Sequence, residues 1–138
     1  MKRARSQRGS MAVELVILVP VIATFALMAL GLGRYESARQ EVADAARAGA
    51  QAASIAISAA AAPTAATQAA LVDIENQQHM CADPGVTTDT ADFVAGGVVR
   101  VSVSCHVDMS DLAIPGIPGA LTIEETQVAT VDPYRSVQ

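Results

Sequence analysis

The stretch LVILVPVIATFALMALGLG, Leu15 to Gly33, carries no charged residue and decides how the rest of the chain is read. At 1.5 Å per residue in a helix it would extend roughly 28 Å, close to the ~30 Å hydrocarbon core of a bilayer. A buried core helix is the competing reading. It fits poorly, because a chain of 138 residues offers too little other core to cover such a helix on all sides. The run is therefore expected to span a membrane once.

Charge is distributed unevenly around it. Residues 1–9 hold Lys2, Arg3, Arg5 and Arg8 and no acid. Setting these four aside leaves five basic against 14 acidic residues, net −9 for residues 10–138. Basic residues stay on the cytoplasmic side of a span, which places the N-terminus in the cytoplasm and the remainder outside it. A cleaved secretory signal is the alternative, but Gly31-Leu32-Gly33-Arg34-Tyr35 makes a poor cleavage site for it.

Composition narrows the function further. Apolar residues are 51% of the chain but aromatics only 3%, so a globular core would have few rings to fill it. The acidic balance argues against a nucleic-acid partner, which needs a basic footprint. Neither GxxxxGK nor GxSxG occurs, and no Ser, His, Asp or Cys grouping has catalytic spacing.

Helical sequence continues past the apolar run. From Arg34 to Ala62 there is no Pro, and Gly49 is the sole Gly. Tyr35, Ala38, Val42, Ala45, Gly49, Ala52 and Ala56 recur at steps of three and four, a seam of mostly small residues opposite Glu36, Gln40, Asp44, Arg47 and Gln51. Such a seam suits close packing against helices of other chains, or equally against the chain's own domain. The spacing predicts one rod over residues 10–62, about 80 Å long, kinked at Pro20. Pro63 ends it, and Thr64 is expected to cap a shorter helix over Ala65–Asn76.

Beyond His79 the pattern turns to β. Val99, Val101, Val103, Cys105 and Val107 alternate with Arg100, Ser102, Ser104, His106 and Asp108, one buried and one wet face of a strand. Phe93-Val94 reads as the preceding strand, joined through Ala95-Gly96-Gly97. Leu121–Val131 reads as a third strand, with Ile123 and Val128 on opposite faces unless a bulge intervenes. Between the last two, LAIPGIPGA is a Pro/Gly loop with three aliphatics, Leu112, Ile114 and Ile117.

Five side chains could carry chemistry here. Cys81 and Cys105 lie on the oxidising side of the span, where a bridge would persist and contribute about 3 kcal/mol; free thiols are the alternative. His79 and His106 adjoin them, making a Cys2His2 metal site conceivable, but neighbours on a strand point to opposite faces and an oxidised pair offers no thiolate. No metal or other cofactor is expected. Glu14 opens the apolar run. A carboxylate there is either interfacial, near a helix N-terminus that favours it, or paired. A cut after Gly9 would create an α-amine on Ser10, one helical turn from Glu14 of the same or a neighbouring subunit.

The junction Arg8-Gly9-Ser10-Met11-Ala12-Val13-Glu14 followed by an apolar span resembles the leader junction of type IV pilin-like proteins. With Pro20, Gly33-Arg34 and the segment Ala45-Ala46-Arg47-Ala48-Gly49-Ala50, the chain resembles the TadE-like family of the tight-adherence (Tad/Flp) pilus system. Leu15 stands where many members carry Phe, and Ser10 where major pilins carry Phe or Met. The resemblance implies an α+β, single-pass minor pilin or pseudopilin, cut by a prepilin peptidase between Gly9 and Ser10. Glu14 would serve assembly, and helix packing would join the subunit to other pilin-like subunits and to an inner-membrane assembly platform. It implies a basic leader over 1–9, a transmembrane helix over 10–33, its extracytoplasmic continuation over 34–62 and a small α+β region over 63–138. The protein would sit in the cytoplasmic membrane among lipid, or at the cell surface in a pilus, and would not be an enzyme. The rival reading is an uncleaved signal-anchored extracytoplasmic binding domain, and a more distant one a small secreted enzyme.

Overall fold

The computed structural model describes residues 8–77, 81–108 and 119–134. Residues 1–7 of the basic leader, His79, and the Leu112, Ile114 and Ile117 loop lie outside them. The elements run α1 (Arg8–Ser54), α2 (Ala62–Asn76), β1 (Ala82–Asp89), β2 (Val98–Asp108) and β3 (Ala120–Thr130). This is the expected α+β order: a long N-terminal apolar helix, a short helix and three antiparallel strands. Contacts divide the chain into two compact units, one up to Arg34 and one from Tyr35 onward.

Within the first unit, α1 passes through Pro20 without a break. Proline removes the amide that would bond the carbonyl one turn back. One turn onward, the Thr24 hydroxyl donates to the Pro20 carbonyl at 2.8 Å.

In the second unit the sheet has the order β1-β2-β3, with β2 central. The alternation in β2 is observed as expected: Val99, Val101, Val103, Cys105 and Val107 are buried, while Arg100, His106 and Asp108 are exposed. Ala38, Val42, Ala45, Ala46, Ala50 and Ala53 of α1 share one core with these valines, as do Ala62, Ala66, Ala70 and Ile74 of α2. The small-residue seam of α1 is thus occupied largely by the chain's own domain. Eight of the 18 buried apolar residues named in this core are alanines, so volume is recovered by proximity of backbones rather than by large side chains. Gly49 marks the closest approach: a Cβ there would lie 3.1 Å from the Ala66 carbonyl oxygen and 3.1 Å from Val101 Cγ1.

Three boundaries differ from expectation. α1 stops at Ser54 rather than at Ala62, and 55–61 form turns. Helix propensity alone would carry the alanine run onward, but Ala53 and Ala62 are both fully buried in the shared core, and the intervening turn brings α2 back onto it. Pro63 starts α2 instead of separating two helices, because the first turn needs no bonded amide there. Thr64 is not the cap; the N-cap is Ala61, which makes no side-chain cap bond. Its own amide donates to the Ser58 carbonyl at 3.1 Å.

The strand beside β2 is Ala82–Asp89, not Phe93-Val94. Phe93 lies in the β1–β2 connection with its ring buried, while Val94 is exposed. Gly96, at φ 77°, supplies the left-handed turn before β2. β3 pairs with β2 without interruption from Val98↔Thr130 to Asp108↔Ala120, so no bulge intervenes and Ile123 faces inward while Val128 faces out.

Candidate assembly site

Gly9 and Ser10 lie in the first turn of α1, with Glu14 in the next. The first turn contains no acidic residue. Glu14 is exposed, as are Val13 and the residues that follow it to Pro20. Val16, Ile17, Val21, Ile22, Phe25 and Leu30 are each between 47% and 73% exposed, on every side of the helix. This is the one helix among the described residues long and apolar enough to cross a membrane. Only 6% of its most apolar window is buried within the protein, which separates it from the core helix of a soluble domain. An N-terminal apolar helix of this kind suggests a single-pass membrane anchor.

The physical situation at Glu14 follows from that surface. A carboxylate among aliphatic side chains is costly once water is removed, and the cost falls if a cation lies beside it. Glu14 follows Ser10 by four positions, about one turn of helix.

In the second unit, Cys81 and Cys105 form a disulfide with Cα atoms 5.3 Å apart. It ties the residue preceding β1 to the buried face of β2. His106 points away from the bridge into solvent. Among the described residues no group of three His, Cys, Asp or Glu side chains is placed to hold a metal ion. Arg39 Nε donates to Glu125 Oε1 at 2.6 Å, joining α1 to β3. This hydrogen bond, and then the Glu125 charge, raises the guanidinium above its ordinary pKa.

Sequence reasoning missed a groove of about 440 Å³ between α1 and β3, lined by Arg47, Gln51 and Ser54 on one side and Gln127 to Thr130 on the other. It requires the tertiary pairing of a helix with a strand some 80 residues later, for which no local pattern exists.

A family model described as TadE-like protein matches residues 9–51. The match covers the junction, Glu14, the apolar helix and the α1 face that packs on the sheet. It names the same family as the resemblance read from Arg8–Glu14 onward. No curated protein and no solved structure matches the chain.

Proposed function

We propose that this chain, whose residues 9–51 are TadE-like and point to a Tad pilus-related protein, is a minor pilin or pseudopilin in assembly of a Tad/Flp-type pilus or a related secretion apparatus. The observation that carries the reading is the junction itself: Gly9-Ser10 and Glu14 open directly onto an apolar helix exposed on all sides. A prepilin peptidase cuts after Gly9 on the cytoplasmic side. Because α1 includes Gly9 and Ser10, the first turn opens for the cut, as helix ends readily do. The new Ser10 ammonium and Glu14, within one subunit or between neighbours, neutralise each other in the low-dielectric layer. The apolar helix then packs beside those of other pilin-like subunits on an inner-membrane platform. The chain's role is non-catalytic.

Glu14→Gln tests this. It removes the charge and keeps the size, so insertion should be unchanged or slightly better. Crosslinking to other pilin-like subunits and surface piliation should fall sharply, with the leader still removed by intact mass. Wild-type crosslinking and piliation would leave Glu14 a merely interfacial carboxylate. Retention of residues 1–9 in the wild-type mature protein would favour the signal-anchored alternative.

A further inference from the structure

The two edges of the sheet are built differently. β1 is short at eight residues, shifts register between Ala82 and Gly85, and contains Pro84 and the left-handed Asp83 at φ 51°. Those are devices that blunt an edge against further pairing. β3 has none of them. Its 11 residues include no Pro, Gly or Lys, and its register is continuous.

The orientation of its backbone follows from one bond. The Val131 amide donates to the Gly97 carbonyl at 2.9 Å, in the same register that holds through β2–β3. In an antiparallel ladder, residues alternate between facing the partner strand and facing away. Leu121, Ile123, Glu125, Gln127 and Ala129 therefore bond to β2. Thr122, Glu124, Thr126, Val128 and Thr130 turn their N–H and C=O groups to the outer edge. No backbone partner for these groups occurs among the described residues.

Alongside this edge runs the groove beneath α1. Arg47 is its one charged lining residue, and the remainder are amide, hydroxyl and small apolar side chains. Arg47 is 64% exposed, and its nearest acid, Asp44, is 3.9 Å away and equally exposed. That exposed pair is weak, so the Arg47 guanidinium can still take a second carboxylate from a partner.

We propose that β3 accepts an extended segment of another protein chain as a fourth strand, with an acidic side chain of that segment seated beside Arg47. Main-chain pairing to the five outward residues supplies affinity, and the Arg47 contact supplies selectivity. This surface lies in the second unit and does not depend on Glu14, so Glu14→Gln leaves it intact whatever becomes of assembly.

The test uses the full chain in detergent micelles and a fluorescein-labelled nine-residue peptide of alternating Thr and Val with one central Glu. Fluorescence anisotropy should show saturable binding with half-saturation below about 1 mM. Arg47→Glu should weaken it about tenfold, and should leave the same peptide with Gln in place of Glu unaffected. Val128→Pro removes an outward donor without touching the β2–β3 ladder, and should weaken both peptides by about tenfold or more. A probe N-methylated at alternate amides makes the same test with the wild-type protein. No saturation by wild type up to about 1 mM, or equal binding by the N-methylated probe, would overturn the proposal. So would self-association of the chain that Val128→Pro abolishes, because the occupant would then be a second copy.

Discussion

The two stretches of α1 on either side of Arg34 share one backbone and meet different surroundings. Before it, large aliphatic side chains stand exposed around the whole circumference. After it, Ala38, Val42, Ala45, Gly49 and Ala53 present a single narrow face, and the sheet and α2 cover that face. The contrast shows two ways for a helix to be stabilised. The second stretch is small-sided because its partners are close and its own. The first is large-sided, and its side chains stand uncovered among the described residues. A soluble domain does not leave so much contiguous apolar surface bare.

If the two regions are independent, a change in one should leave the other unmoved. The largest effect is expected from removing the bridge. Cys81→Ala with Cys105→Ala should cost the second unit about 3.5 kcal/mol by loop-closure entropy, read as a lower urea midpoint. Recovery in the membrane fraction should not change; a loss there would break the comparison. Ile22→Arg is the reciprocal experiment, placing a charge midway along the apolar helix at a cost of about 2.5–3.5 kcal/mol to insertion. Membrane recovery should drop, while the second unit of the chains that still insert keeps its bridge and its urea midpoint. A smaller effect is expected at Gly49→Leu, which overpacks against the Ala66 carbonyl and Val101 by about 1–3 kcal/mol, reduced by the better helix propensity of Leu. The same substitution at Gly33, where a Cβ would meet nothing within 4 Å, should leave the second unit's urea midpoint unchanged. The smallest effect is expected from Arg39→Gln. Its ion pair with Glu125 is half-exposed on the arginine side, so the midpoint should shift barely measurably, and less still at high salt.

What was legible in the sequence follows the range of the forces involved. The apolar run and the alternation in β2 are written in adjacent residues, and both elements are where they were expected. Glu14 and the Gly9-Ser10 junction are likewise a motif of near neighbours, and they lie in the first two turns of α1. β1 was not. Ala82-Asp83-Pro84-Gly85 reads as a turn, and its place in the sheet depends on β2 beside it and on the bridge at Cys81. The end of α1 was hidden by alanines that favour helix at every position; the turn at 55–61 reflects the packing of α2. Pro63 was misplaced because a proline that ends one helix and a proline that begins the next look alike in sequence. The outer edge of β3 could not be seen at all, since an edge exists only once strand order is known.

The position of the bridge also permits a particular order of events in synthesis. Both cysteines, all of β1 and the paired core of β2 precede residue 109, whereas β3 begins at Ala120. The covalent ring is therefore complete in residues made before the last strand exists. A chain emerging from its N-terminus can lock its first hairpin while β2 still has a free side. β3 can then add to a template already fixed in register, and the strand added last is the one whose far edge has no backbone partner among the described residues.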